Sequence, residues 1–355
     1  MSSGFPLVRA ADIAPFIRWM RANGRPIDRA LASINLSVEP WEMPDRPVPL
    51  NAVLAAMRSL GVQEGPDIAC RVVSESSIAD LGVLGEVMLG GNTPREALAN
   101  LCAAIPRHST HEQFTMVAAP GGVVIREQLM LDVDGETLHI VQQYVAALIR
   151  ALCRMTGFRG EPLGRIEIAP HPSLGLAHLE RALGPKPLRS ACRVLSIFLS
   201  DEVLDRPFQR PRRKFGNETP HDDWAALEGE KGYASTAKIF IEAMLDDETP
   251  SVERFAAAIG VSLRTVQRRL AANGTSFSTL LDDVRRDRAL KALRASSTQI
   301  GFIAADLGYS DQPAFVRAMR RWAGVTPKQF RKQDRARAAA AAPDPEAPVA
   351  ATHQA

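Results

Sequence analysis

The chain has 355 residues, 46% of them hydrophobic and 23% charged, with a formal net charge of +3. That length exceeds one ordinary core and suits two domains of a globular protein. No apolar run approaches the ~18 residues a membrane helix needs, and Arg9, Asp12, Pro15 and Arg18 break up any secretory leader, so the expected location is cytoplasmic with no membrane partner.

Residues 11–23 place Ile13, Phe16, Ile17 and Met20 at helical spacing, with Gly24 as the stop. Residues 49–60 predict a second short helix, ended by Gly61. Thr93, Pro94 and Glu96 form a helix start: a cap, a first-turn proline and a glutamate that reaches back. That helix is expected to run to about Ala104. Residues 112–119 and 123–130 read as strands of a hairpin around Pro120-Gly121-Gly122. Residues 138–156 predict the longest helix of this half, closed by Gly157. Its apolar positions (Val141, Val145, Leu148, Ile149, Leu152, Met155) recur every three or four residues and suggest a dimerisation face. Residues 165–169 and 193–199 predict two more strands, so residues 1–208 read as an α+β domain.

Cys70, Cys102, Cys153 and Cys192 show neither a C-x-x-C pair nor metal-finger spacing and are expected as buried thiols. His108 and His111 with Glu112 raise a metal site or an acid–base pair, but the sequence places no third ligand, and a solvated loop is the preferred reading. His139 is expected to be packed or exposed, not catalytic. There is no phosphate loop, dinucleotide fingerprint or nucleophile elbow, so neither an enzyme nor a cofactor or metal is expected. Residues 205–232 are rich in Pro, Arg, Asp and Glu without periodicity; 209–232 is taken as the linker. Residues 338–355 are low in large apolar groups and are expected to be a disordered tail.

The charge is divided. Residues 238–337 hold 18 Lys/Arg against 11 Asp/Glu, a net of +7, which leaves the remainder at −4. A basic module on a mildly acidic partner is the electrostatic footprint of nucleic-acid binding. The same module contains a repeat: Phe255-Ala-Ala-Ala-Ile-Gly-Val-Ser262 matches Ile303-Ala-Ala-Asp-Leu-Gly-Tyr-Ser310. Each copy predicts a short helix, a left-handed glycine, an apolar plug (Val261, Tyr309) and a serine cap. Second helices follow at 263–272 and 311–323. Val266 and Leu270, then Phe315, Met319 and Trp322, face the core of each pair.

The opposite faces carry Arg264, Thr265, Gln267 and Arg268 in one helix and Asp311, Gln312, Val316 and Arg317 in the other. Arg suits bidentate pairing with guanine and Gln with adenine in the major groove. Ser262, Arg269, Ser310, Arg320, Arg321 and Lys328 are candidates for backbone phosphates. Residues 276–294 form an unbroken helical pattern of roughly 28 Å at ~1.5 Å per residue. That compares with the ~34 Å between major grooves on one face of DNA. Asp282-Asp283 and Arg285-Arg286 are expected as surface ion pairs, and Thr326, Pro327 and Gln329 start a last helix.

These residues resemble the AraC/XylS family of transcription regulators over about 233–337. The resemblance rests on Leu307-Gly-Tyr-Ser310, the Phe315 and Arg317 pair, Arg320-Arg-Trp322 and Gly324-Val-Thr-Pro327, in order and at the family spacing. It implies an all-α domain of seven helices with two helix-turn-helix units joined by a long helix. The family's base-reading positions fall on Arg264, Gln267, Arg268, Gln312, Pro313 and Arg317. A proline at 313 implies apolar contact only, and Met319 and Ala323 depart from the usual Phe. Residues 30–208 are similar to the arabinose-binding-like amino-terminal domain of these regulators, through Leu81-Gly-Val-Leu-Gly-Glu-Val-Met-Leu89, Thr93-Pro94, Glu96-Ala-Leu98 and Leu204-Asp-Arg-Pro207. This implies a small-molecule effector, promoter DNA as partner and, by the habit of the family, activation through RNA polymerase. A homodimer completes the expected assembly. Architectural DNA binding and an enzyme domain tethered to a DNA-binding module remain alternative readings of the residues alone.

Overall fold

The computed structural model describes residues 4–34, 36–37, 39–184, 186–209, 224, 227, 232–246, 250–295 and 298–341. The chain divides into two units, Met1–Ala243 with Ser251–Ser276, and Met244–Pro250 with Phe277–Ala355.

The first unit opens with β1 (Leu7–Arg9), a 3-10 turn (Ala10–Ile13) and α1 (Ala14–Ala22). After α2 (Asp28–Ser33), β2 (Pro47–Pro49) returns to pair antiparallel with β1. Helices α3 (Leu50–Glu64), α4 (Ile68–Arg71), α5 (Val83–Leu89) and α6 (Pro94–His108) follow. The hairpin β3 (Glu112–Ala119) and β4 (Gly122–Leu129) lies within one residue of its expected bounds. Then come α7 (Gly135–Arg154), β5 (Ile166–Ile168), α8 (Glu180–Leu183), β6 (Leu188–Arg189), β7 (Val194–Ser200) and α9 (Asp201–Leu204). The main sheet runs β3-β4-β7-β5-β6 and is antiparallel except for the β5–β6 pair.

Helix α7 is the keel of this domain. Its aliphatic positions sit in two buried clusters, one against the sheet and α6, the other against α1 and α3. Only Arg154 of α7 is exposed, so the helix is not the free dimerisation face its periodicity suggested: apolar groups occupy both of its sides. Two fully buried amides fix its position. Gln142 donates to Arg193 O at 3.2 Å and accepts from Ala169 N at 2.8 Å, and Gln143 donates to Pro66 O at 2.8 Å. Buried polar groups left without such partners would each cost about 1–3 kcal/mol.

Several local expectations are corrected by long-range packing. Gly61 does not end a helix but lies inside α3, where an added Cβ would stand 2.6 Å from Ile140 Cδ1 on α7. Its missing side chain lets the two helices approach. Thr93 caps α6 by accepting from Glu96 N at 3.3 Å, while Glu96 reaches back to Asn92 N at 2.7 Å, and the helix continues past Ala104 to His108. His108 is not in a solvated loop but 1% exposed, because the end of α6 is roofed by the 3-10 turn and β3. Cys153 is buried and Cys70 and Cys102 are half-buried, but Cys192 is exposed, and all four are free. His139 is fully buried and bonds Ala169 O at 2.6 Å and His178 Nε2 at 2.9 Å; burial pulls its imidazole down to about 4.

Most of the expected linker lies outside the described residues, but Trp224 and Leu227 are buried. The first unit ends in α10 (Tyr233–Met244, of which Met244 falls in the second unit), α11 (Val252–Ala258) and α12 (Leu263–Ala272). Phe5, just before β1, inserts among Tyr233, Phe240 and Phe255 with ring centroids 5.6, 6.0 and 5.5 Å away. The second unit comprises α13 (Phe277–Ala295), α14 (Ile300–Asp306), α15 (Gln312–Ala323) and α16 (Pro327–Ala341). Helix α16 continues four residues beyond Arg337; the rest of the expected tail lies outside the described residues.

Candidate nucleic-acid interface

The repeat seen in the sequence is a repeat of hydrogen bonds. After α11, Gly260 adopts φ +69°, its N–H donates to Ala257 O at 3.1 Å and the Val261 N–H donates to Ala256 O at 3.0 Å. After α14, Gly308 adopts φ +70°, with its N–H on Ala305 O at 2.9 Å and the Tyr309 N–H on Ala304 O at 3.0 Å. Both are Schellman endings, which need a residue tolerant of the left-handed region followed by an apolar one. The chain then turns into α12 or α15. Their inner faces are Val266 and Leu270 in one and Phe315 and Met319 in the other, all essentially inaccessible.

The caps differ. Ser262 accepts from Thr265 N at 3.2 Å. The corresponding Ser310 does not cap: Asp311 does, accepting from Ala314 N at 2.6 Å. Helix α15 begins one residue later in the repeat than α12, and an aspartate serves that position as well as a serine. Asp311, read as a base-contacting candidate, therefore has one carboxylate oxygen committed to the helix start. Thr326 and Gln329 form the expected reciprocal box: Thr326 N donates to Gln329 Oε1 at 3.0 Å and Gln329 N to Thr326 Oγ1 at 3.3 Å.

The outer face of α12 carries Arg264, Gln267 and Arg268 at spacings of three and four, all exposed, with Thr265 half-buried beside them. Among the described residues nothing pairs with Arg264 or Arg268. Arg269 stands apart, its guanidinium over the Tyr233 ring at 5.5 Å. On α15, Gln312, Pro313 and Arg317 are exposed on one face with Val316 half-buried, and Arg320 continues that face. Ser262, Ser310 and Lys328 are exposed at the helix starts. Arg321 is engaged: it donates to both oxygens of Asp282 at 2.6 and 2.8 Å, and Trp322 Nε1 joins the same carboxylate at 3.0 Å.

Two of these contacts had no local signal. Asp282 binds Arg321 and Trp322 instead of a neighbour on α13, and only Asp283 makes the short-range pair, with Arg286 at 2.9 Å. Arg285 donates to the carbonyls of Leu307 at 2.9 Å and Gly308 at 3.3 Å and lies 4.9 Å over the Tyr309 ring. It thereby satisfies carbonyls that the end of α14 leaves over. Burial pushes the Tyr309 phenol up from its ordinary value, and the Arg285 guanidinium opposes that shift.

Comparison with known proteins agrees with this geometry. Residues 24–208, more than half of the chain, match the model of the arabinose-binding domain of AraC transcription regulators, N-terminal, and residues 255–333 match a helix-turn-helix domain model. The HTH-type transcriptional regulator VqsM of Pseudomonas aeruginosa is 35% identical over 108 residues, 30% of this chain and 33% of that protein. VirS of Mycobacterium tuberculosis, another HTH-type transcriptional regulator, is 42% identical over 81 residues, 23% of this chain and 24% of its own. The chain thus spans about a third or less of the length of these relatives. A longer match, 24% identical over 335 residues, joins 88% of this chain to 93% of the uncharacterized HTH-type transcriptional regulator Rv1395 of Mycobacterium tuberculosis.

An α+β domain followed by a helical region with exposed basic helices is the build of a regulator with a helix-turn-helix. The chain belongs to the AraC family of transcription regulators. Among the described residues no helix is long and apolar enough to cross a membrane.

Proposed function

We propose that this chain is a sequence-specific, cytoplasmic transcriptional regulator that reads promoter DNA with residues 233–337 under the control of a small-molecule effector held by residues 1–208. One observation carries the reading. Helices α12 and α15 each bury an apolar stripe behind the same Schellman turn and turn an Arg/Gln face outward. The two pairs act as helix-turn-helix units, and α13, at ~1.5 Å per residue, has the length to set them in successive major grooves. Arg264, Thr265, Gln267 and Arg268, then Gln312, Pro313 and Arg317, read bases, Pro313 by apolar contact. Asp311 reaches a base only with the oxygen its cap leaves over. Ser262, Arg269, Ser310, Arg320 and Lys328 position the protein on phosphates, and Arg321 joins them when Asp282 releases it. The regulator works as a homodimer and, as an activator, meets RNA polymerase. Activation is favoured because the Escherichia coli relative FapR, 37% identical over 70 residues, is named a transcriptional activator.

The test is a fluorescence-anisotropy titration of the full chain against the DNA upstream of its own gene and against random DNA, at several salt concentrations. Discrimination of at least ~10³-fold is expected of a sequence-specific regulator. Equal, salt-sensitive binding to both would instead mean architectural binding through the phosphates.

A further inference from the structure

The α+β domain holds a partly open chamber of about 40 Å³ between α5, α6, α7 and the inner face of β3. Leu84, Met88, Leu101, Ile105 and Leu148 supply an apolar wall. Four polar residues break it: Asp12 from the 3-10 turn, His108 at the end of α6, Glu112 at the start of β3 and Tyr144 on α7. No lysine or arginine lines it among the described residues. The Tyr144 hydroxyl is already used, donating to Asp12 O at 2.9 Å.

Among the described residues, two buried groups lack hydrogen-bond partners, one lining this space and one beside Glu112. His108 is 1% exposed and neither of its ring nitrogens has a hydrogen-bond partner; its Nε2 stands 3.7 Å from Asp12 Oδ1. Glu127 on β4 is 0% exposed with both carboxylate oxygens unpartnered. The register pairs Glu112 with Leu129 and Phe114 with Glu127, so the two glutamates are diagonal neighbours on one face of the hairpin. In β4 the inward positions are Val123, Ile125, Glu127 and Leu129, an acid where the alternation calls for an aliphatic group. Native interiors rarely leave so many polar atoms unanswered around one space.

We propose that this chamber is the effector site and that it takes an organic ammonium, a primary-amine cation on a short hydrocarbon body. The inference rests on the reading of the chain as an effector-controlled regulator. An ammonium brings three donors and one positive charge to a space that offers carboxylate and imidazole acceptors and no cation. The aliphatic wall suits a hydrocarbon body and cannot furnish the six or more oxygens a bare calcium ion would need. A water takes about 10–15 Å³ of such space, so the chamber as it stands admits an ammonium and about two or three carbons. Met88 is the most adaptable part of the wall.

The electrostatics follow the same direction. Desolvation, then the charges of Asp12 and Glu127, push Glu112 well above the carboxylate range, and desolvation pushes Glu127 up to about 8. Asp12, Asp80, His108 and Tyr144 complete the titratable groups around them. Near neutral pH Glu127 is held protonated, and Glu112 is pushed in the same direction; a bound ammonium favours the ionised forms and expels protons. Affinity therefore tightens as pH rises from 6 through 8, while the amine itself stays charged.

The probes are ethylamine and n-propylamine, with 1-propanol and propionate as neutral and anionic controls, titrated calorimetrically into the full chain without DNA. Expected are binding of the amines alone, proton release that shows as a dependence on buffer ionisation heat, and at least a tenfold loss of affinity in Glu112→Gln. Asp12→Asn, at the more open rim, carries the same test should E112Q not fold. Equal binding of amine, alcohol and propionate, or full affinity in both variants, overturns the site. Amine binding that leaves DNA affinity unchanged overturns the effector reading instead and leaves the ammonium site standing.

Discussion

The two helix pairs end their first helices with the same hydrogen bonds but are braced in different ways. The first pair takes an aromatic ring from outside itself: Phe5, from the very start of the chain, packs on Tyr233, Phe240 and Phe255. The second is braced by its own unit, where Arg285 holds the carbonyls of Leu307 and Gly308 and Asp282 gathers Arg321 and Trp322. One pair is thus tied to the α+β domain by apolar contact, and the other is tied to α13 by charge. A change in the α+β domain has a physical route to the first pair through a packed contact. The same contrast applies to their surfaces. Arg264 and Arg268 have no partner among the described residues, whereas α15 has spent Arg321 on Asp282.

The contrast can be broken or sharpened by substitution. The largest effect is expected of Phe5→Ala, a buried-aromatic truncation worth about 3 kcal/mol. Hydrogen exchange should show the loss in α10–α12 and leave α14–α15 protected; equal loss in both would end the distinction. Next, Arg268→Ala should cost about 2 kcal/mol on the cognate DNA by anisotropy. Arg317→Ala should cost less than Arg268→Ala, since the proposed base-reading set holds one arginine on α15 and two, Arg264 and Arg268, on α12. Arg285→Ala removes charge-assisted hydrogen bonds worth roughly 1.5 kcal/mol for a half-buried donor, and the loss of protection should fall on α14–α15 only. Smallest is Asp282→Asn. Its ion pair is largely exposed and worth under about 1 kcal/mol of stability, but freeing Arg321 should steepen the salt dependence of DNA binding by about one unit.

What the sequence made legible was local. A Schellman ending needs a glycine and an apolar residue at fixed offsets, and a helix face follows from spacing, so both turns and both outer faces could be placed from residues alone. The capping shift from Ser310 to Asp311 escaped because adjacent residues are both good caps. Arg285 and Asp282 escaped because their partners lie on other helices, and charge at helical spacing suggests a neighbour first. Gly61 read as a stop because only α7, far along the chain, explains it. His108 read as solvated because polarity was taken for exposure. Glu127 left a usable trace, an acid in phase with Val123, Ile125 and Leu129, which the alternation rule would have turned inward.

The buried amides of α7 have a mechanical consequence. Gln142 and Gln143 act as a detent: each is engaged with backbone on a different neighbour, Gln142 with Ala169 beside β5 and Arg193 beside β7, Gln143 with Pro66 before α4. If α7 slid by one turn, about 5.4 Å, all of these bonds would break at once in a dry interior. The helix is keyed in place, so a rearrangement that keeps these bonds carries α7, β5, the start of β7 and the segment before α4 as one rigid block, with the give confined to what surrounds that block.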